Sequence, residues 1–248
     1  MSKQCCLRAG ADWQKGHKVL IKENLDRIEE RIAKACARAG RSRDSVTLIC
    51  VTKTKPLEML QEAYDAGQRH FGENKVQEIC RKRPDLPQDI QWHMIGHLQR
   101  NKVRQLIGNT VMIHSVDSLR LAQTISEEAQ KAGVVMPILI EVNVADEDSK
   151  FGVAYDGAES LIKAVSVLKG IHVEGLMTIA PYTDNPETNR RYFAMLRELA
   201  VDISQKCIDN VSMNVLSMGM TGDFEVAIEE GATIIRVGTG IFGERIYT

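Results

Sequence analysis

Thr47-Leu48-Ile49-Cys50-Val51-Thr52-Lys53-Thr54-Lys55-Pro56 is the stretch whose reading decides the fold. Its first six residues are apolar or β-branched without a break, which is the pattern of a strand buried on both faces. Lys53 ends the run and Lys55-Pro56 closes it, because the residue before a proline is pushed out of helical geometry. A lysine at the end of such a strand sits at the rim of a core. Loss of water there disfavours the ammonium and lowers its pKa from a reference of about 10.4. A neutral amine is what Schiff-base chemistry requires. The same placement also suits a lysine that caps the strand and snorkels to solvent.

Outward from this stretch the same kind of strand recurs. Short apolar runs predict further strands at 70–71, 91–95, 111–114, 137–144, 173–178, 214–218 and 233–237. Between and before them, helical spacing and glycine or proline punctuation predict helices over 17–39, 56–66, 75–82, 98–107, 118–132, 155–168, 186–206 and 224–230. Such alternation argues for parallel strands joined by crossover helices. Eight units fit in 248 residues with no linker between them, and a closed barrel of this kind takes about 250 residues in one piece. The expected architecture is a single-domain α/β protein, a (β/α)8 TIM barrel over 17–248, preceded by a flexible tail over 1–16 that Trp13 pins in part. Periodicity leaves a doubly wound open sheet as the structural alternative.

Charged residues are 26% of the chain and the formal net charge is −1, so no global field draws nucleic acid or an acidic membrane. Arg81-Lys82-Arg83 and the basic segment 97–104 lack interleaved aromatic residues and read as solvated surface. The six cysteines form no CxxC pair and no metal-like spacing, a usage that suits a reducing compartment; Cys36 and Cys50 fall at apolar helix and strand positions. No apolar run approaches a membrane span and the N-terminus lacks a signal-peptide core. A cytoplasmic protein without metal, nucleic-acid or membrane partners is expected.

In barrels of this type, chemistry is assembled at the C-terminal ends of the strands, and phosphate is often held after strands seven and eight. Those two places carry Ser217-Met218-Gly219-Met220-Thr221-Gly222-Asp223 and Arg236-Val237-Gly238-Thr239-Gly240-Ile241-Phe242-Gly243. Both are small-residue turns where backbone N–H groups and hydroxyls can approach an anion. Ordinary turn chemistry would look similar. Arg236 ends an apolar strand, and a buried arginine needs an acceptor: either a ligand heteroatom or a carboxylate such as Glu225 or Glu229. An amine, an anion cradle and a cationic donor between them describe one cofactor, pyridoxal 5′-phosphate.

The chain resembles the pyridoxal phosphate homeostasis protein family, small cofactor-binding barrels related to the N-terminal domain of alanine racemase. The resemblance rests on Val51-Thr52-Lys53-Thr54-Lys55-Pro56, Phe71-Gly72-Glu73-Asn74, Ile95-Gly96-His97-Leu98-Gln99-Arg100-Asn101-Lys102 and Asp146-Glu147-Asp148-Ser149-Lys150-Phe151-Gly152. It continues through Gly175-Leu176-Met177-Thr178, Ser217-Met218-Gly219-Met220 and the Arg236–Gly243 turn, in the family's order, over about residues 20–246. It departs at Thr52, where serine is usual, at Lys75, where tyrosine is frequent, and at Thr221-Gly222-Asp223 in place of a common Ser-x-Asp.

The resemblance implies that Lys53 carries the cofactor as a Schiff base. It further implies that Ser217, Gly238 and Thr239 hold the phosphate, that Asn74 and Met218 line the site and that Arg236 faces the pyridine nitrogen. An arginine does not give up its proton at ordinary pH, so it donates to an unprotonated ring nitrogen and leaves the ring a weaker electron sink. The implied function is carriage of pyridoxal phosphate in intracellular vitamin B6 and amino-acid homeostasis, without established catalytic turnover. The protein would be a monomer that passes cofactor to pyridoxal-phosphate-dependent apoenzymes, with Lys55 and Lys150 relaying or accepting it. A racemase of the related fold needs a second domain, and this chain ends at Thr248 just after the last strand, which points to a carrier. Two other classes stay open. One is a pyridoxal-phosphate enzyme, such as a slow amino-acid racemase or lyase with His97 or Tyr182 as a base. The other is a Schiff-base aldolase-type barrel in which Lys53 attacks a sugar phosphate.

Overall fold

The structure is a computed structural model and describes residues 20–147 and 150–244. The tail expected over 1–16 and the start of the first predicted helix lie outside the described residues. The barrel strands are β1 (Thr47–Val51), β2 (His70–Glu73), β3 (Gln91–Met94), β4 (Met112–Val116), β5 (Met136–Asn143), β7 (Ile171–Met177), β8 (Val211–Ser217) and β9 (Ile234–Val237). All pair in parallel, and the β4–β5 pairing closes the sheet on itself, which excludes the open-sheet alternative. An additional two-residue strand, β6 (Val153–Ala154), pairs in parallel beside the C-terminal end of β5.

The α-helices are α1 (Ile21–Arg38), α2 (Leu57–Asp65), α3 (Val76–Lys82), α4 (Leu119–Ala132), α5 (Ala158–Ser166), α6 (Arg190–Ser204), α7 (Phe224–Glu229) and α8 (Thr239–Phe242). They form a coat around the barrel. In α1 the buried side chains Ile21, Leu25, Ile28, Ile32 and Ala35 recur at helical spacing and pack toward α7 and α8. Asn24 Nδ2 also donates to the Ile241 carbonyl at 2.8 Å. The helix that precedes β1 thus covers the seam beside β9.

The predicted helix over 98–107 is instead a 3-10 helix, Arg100–Gln105. Its bonds run over three residues, as in Lys102 N–H to the Gln99 carbonyl at 3.0 Å. The helices expected from 155 and 186 likewise open as 3-10 turns, over Tyr155–Gly157 and Pro186–Asn189, before α5 and α6 begin.

Residues alternate between the helix-covered outside of the barrel and its lumen. An ordinary barrel fills its lumen with Val, Ile and Leu. Here Ile49, Ile95 and Leu139 share the interior with buried polar side chains: His93, His114, Glu141, Ser217 and Arg236. Gly72 leaves the room they need. A Cβ there would meet Ile49 Cγ2 at 2.7 Å and Ile95 Cδ1 at 2.8 Å.

Candidate functional site

Every residue predicted from sequence to touch a cofactor lies at the C-terminal end of one of four strands that are neighbours in the sheet, in the order β2, β1, β9, β8. Asn74 follows β2 and Lys53 follows β1. Arg236 is on β9 with Gly238 and Thr239 just after it, and Ser217 ends β8 with Met218 after it. The β1–β9 register, Ile49 opposite Arg236 and Cys50 opposite Val237, sets the Lys53 loop beside the 238–240 turn. Gly238 makes this approach close, since a Cβ on it would lie 3.3 Å from Val51 Cβ.

Lys53 is half-buried between two braced peptide groups. The Thr52 carbonyl before it accepts from Lys82 Nζ at 2.8 Å, and the Thr54 N–H after it donates to Glu78 Oε2 at 2.9 Å. Thr54 has φ of +63°, a left-handed conformation that a threonine adopts only when its surroundings hold it there. Lys82 Nζ also reaches Glu73 Oε1 and Glu78 Oε2, both at 2.7 Å, so one buried ammonium ties α3 to the ends of β1 and β2. Thr52 Oγ1 donates to Glu73 Oε1 at 2.7 Å, while Glu73 Oε2 is buried without a hydrogen-bond partner among the described residues. Burial pushes the Glu73 carboxyl up, against the pull of Lys82 and Thr52. Lys55 serves the opposite side of the loop: its Nζ donates to the carbonyls of Phe242 and Gly243 at 3.0 Å and of Glu244 at 3.1 Å, at the C-terminal end of α8.

Arg236 is buried in the lumen. Its Nη1 donates to Ser217 Oγ at 2.7 Å and its Nη2 to the Thr178 carbonyl at 2.8 Å. Neither Glu225 nor Glu229 supplies its acceptor, because those carboxylates face outward to Arg31 and to Arg38 and Arg190. Burial lowers the guanidinium to about 10, opposed by the charges of Glu141 and Asp223, so it stays a cation at neutral pH. Met218, next to Ser217 in sequence, is fully buried. The turn above is lined with hydroxyls. Thr239 Oγ1 and Thr221 Oγ1 are 3.1 Å apart, and the Gly240 N–H donates to Thr221 Oγ1 at 3.3 Å. Gly219 lets this turn lie flat on α7, since a Cβ there would fall 2.6 Å from Ala227 Cβ.

The other residues considered from sequence lie around the rim. Asn74 and Lys75 share a cleft of about 510 Å³ with His97 and Lys102. Gly96 seats Asn74 closely, because a Cβ on it would be 2.5 Å from the Asn74 carbonyl oxygen. His97 stacks on Phe151 with ring centroids 4.0 Å apart, and Lys150 pairs with Glu147 at 3.4 Å. Tyr182 is 93% exposed and its hydroxyl bonds Asp184, away from the lumen.

Glu141 was not anticipated, although a glutamate interrupting the apolar run 137–144 was the available signal. It points into the lumen from β5, and its Oε2 is buried without a hydrogen-bond partner among the described residues. Burial, then the charge of Asp117, push its carboxyl up to about 7, with Arg236 opposing. The unfolded carboxyl ionises near 4.5. Stability therefore falls as pH rises from that value through about 7, by up to about 3 kcal/mol, and is flat above. Glu141→Gln is expected to melt above the wild type at pH 8, with the difference closing at pH 5. Equal differences at the two pH values in thermal melts would refute this.

Comparison with known proteins agrees with the geometry. The family model described as alanine racemase, N-terminal domain, matches residues 24–246. A protein of Aquifex aeolicus named pyridoxal phosphate homeostasis protein is 48% identical over 226 residues, 91% of this chain and 98% of that one. The protein of the same name from Escherichia coli K12 is 37% identical over 233 residues, 92% of this chain and 98% of that one. The solved structure of PipY from Synechococcus elongatus PCC7942, with PLP bound, superposes with a TM-score of 0.75 at 37% identity, covering 87% of this chain and 100% of that one. With its closed parallel barrel and its lysine, arginine and hydroxyl-lined turn on adjoining strands, the chain belongs to the alanine racemase N-terminal domain family, among the pyridoxal phosphate homeostasis proteins.

Proposed function

We propose that this protein binds pyridoxal 5′-phosphate at the C-terminal mouth of the barrel and carries it in cofactor homeostasis. The observation that carries this reading is the set of adjoining strand ends β2, β1, β9 and β8, which places an amine, a guanidinium and a hydroxyl-lined glycine turn side by side. The residues fit the group. Gly219, Gly238 and Gly240 let the turn pack tightly, since Cβ atoms on them would press on Ala227, Val51 and Thr221, and the Thr221 and Thr239 hydroxyls suit a phosphate ester. Arg236 suits an unprotonated pyridine nitrogen, and the Lys53 amine suits an aldehyde.

When bound, pyridoxal phosphate supplies an aldehyde that an amine can hold covalently and a ring that withdraws electrons. Everything else is done by the chain. The braced peptides on either side of Lys53 aim its amine, and Asn74 and Met218 line the site. Ser217, which the resemblance puts with the phosphate, instead has its hydroxyl on the guanidinium, and Gly238 and Thr239 face the phosphate. Arg236 remains protonated and does not hand its proton to the ring, which keeps the ring a weak electron sink and favours carriage over turnover. Delivery to apoenzymes, with Lys55 and Lys150 on its route, a monomeric state and residence in the reducing cytoplasm belong to the same proposal. Free Cys36 and Cys50, both buried, accord with that compartment. Among the described residues no helix is long and apolar enough to cross a membrane.

The test is borohydride reduction of the purified protein after loading with pyridoxal phosphate, followed by peptide mapping. One cofactor mass fixed on Lys53 is expected, and Lys53→Ala should lose it together with the visible absorption band. A protein that stays colourless with added cofactor would remove the reading and leave the aldolase-type alternative. Incubation of the loaded protein with amino acids should give no sustained turnover; steady racemisation would make it an enzyme.

A further inference from the structure

A line of three imidazoles crosses the lumen beneath Arg236. His70 opens β2 at the N-terminal end of the barrel and is half-buried, whereas His93 on β3 and His114 on β4 are buried. His70 Nδ1 lies 3.0 Å from His93 Nε2, and His93 Nδ1 lies 3.0 Å from His114 Nε2. His114 Nδ1 lies 3.0 Å from Ser217 Oγ, the same oxygen that takes the Arg236 Nη1–H at 2.7 Å. The line thus runs from one end of the barrel to the guanidinium under the other. Polar side chains in a barrel lumen are costly unless each donor meets an acceptor, so the protons in this line can be assigned by counting.

A neutral imidazole has one N–H and one bare nitrogen. Burial, reinforced by the charge of His70, lowers His93 to about 3; burial, His93 and Arg236 hold His114 well below the usual histidine range. Both are neutral at pH 7. The guanidinium can only donate, so Ser217 Oγ accepts from Arg236 and its own hydroxyl proton needs another acceptor. His114 Nδ1 supplies it, which puts the His114 proton on Nε2. That proton points to His93 Nδ1, which must be bare, and the His93 proton on Nε2 points in turn to a bare His70 Nδ1. Every link is satisfied in this one direction. In the reverse direction Ser217 would receive two donors and its own proton would be left over.

We propose that His114, backed by His93 and His70, is a positioning residue for cofactor binding. It draws the Ser217 hydroxyl proton away from the mouth, so that the oxygen is committed to Arg236 and the guanidinium is held in one orientation for the ring nitrogen. The proposal rests on the pyridoxal phosphate reading for its purpose, and on the lumen geometry for its substance. Ser217 then belongs to the floor of the site, with its hydroxyl committed before the cofactor arrives.

The test has two arms. In the first, protein labelled with 15N-histidine and free of cofactor is examined by NMR at pH 7; His93 and His114 should be neutral with the proton on Nε2. In the second, pyridoxal phosphate binding is titrated for His114→Gln, whose amide oxygen can accept from Ser217, and for His114→Leu, which cannot. His114→Leu should bind about tenfold more weakly, the size of one hydrogen bond's net contribution, with a shifted cofactor band. His114→Gln should stay within about twofold of wild type, well inside one hydrogen bond's worth. A His114 proton on Nδ1, or a leucine variant that binds like wild type with an unshifted band, would overturn the positioning role while leaving the cofactor reading intact. A wild type that takes up no cofactor would overturn both.

Discussion

Lys82→Met is expected to destabilise the protein by about 3–5 kcal/mol at pH 7, a fall of roughly 10 °C in melting temperature for a chain of this size. Methionine keeps the length and apolar character of the lysine stem, so packing changes little. What disappears is an ammonium with three short hydrogen bonds, to the Thr52 carbonyl, Glu73 and Glu78. The loss is large because Glu73 is fully buried and its Oε2 already lacks a hydrogen-bond partner among the described residues. Without Lys82 it becomes an uncompensated buried charge or must be protonated. The penalty should therefore shrink as pH falls and Glu73 takes up a proton. Lys82→Met/Glu73→Gln should regain much of the loss, since the carboxylate that needed the ammonium is gone. The same change leaves the Thr52 carbonyl with the Lys55 N–H at 3.0 Å but without the ammonium brace, which should weaken cofactor uptake by Lys53. A single variant melting within about 2 °C of wild type at pH 7, less than 1 kcal/mol here, would refute this account of the brace.

Gly175→Ala is expected to be at least as damaging, with little folded protein recovered. A Cβ at this position would lie 1.9 Å from the Val215 carbonyl oxygen and 2.7 Å from its carbonyl carbon. These are backbone atoms of the neighbouring strand, so no side-chain rotation relieves the contact. The pairings around it are irregular: register shifts fall between Ile138 and Leu139 against β5 and between Val173 and Gly175 against β8. Bulges of this kind re-aim a strand and call for a residue without a side chain. Here the strands deliver Met177, Thr178 and Ser217 to the Arg236 site. The expected cost exceeds about 4 kcal/mol, which places it among the most severe single substitutions. A soluble Gly175→Ala protein melting within about 5 °C of wild type would contradict it.

Much of the architecture was legible in the chain itself. Strands buried on both faces read as unbroken apolar runs, as in 47–52 and 137–144, because parallel strands in a barrel have core on one side and helices on the other. The eight strand positions, the helices between them and the lysine at the end of the first strand follow from that local pattern, as does the gathering of candidate cofactor residues at strand ends. Less was legible in helix type. The 3-10 turns at Arg100–Gln105, Tyr155–Gly157 and Pro186–Asn189 differ from α-helix by one residue in hydrogen-bond span, and side-chain periodicity over a single turn does not separate the two.

Tertiary structure alone decided closure and partnership. The β4–β5 pairing that turns a sheet into a barrel joins Ile113 to Ile138 and Val116 to Ile140, with no local signal for either. Arg236 announced itself as a buried cation in need of an acceptor, but a serine on β8 and a carbonyl after β7 met that need rather than the nearby glutamates of its own segment. His70, His93 and His114 are each unremarkable in sequence and become a line only because parallel pairing stacks β2, β3 and β4. Lys82, in a basic run that read as solvated surface, proved to be a buried brace. The physical reason is common to all of these. Local spacing records which face of an element is apolar, whereas a buried polar group is satisfied by whatever the folded chain brings within hydrogen-bond reach, and that choice is made between residues far apart in sequence.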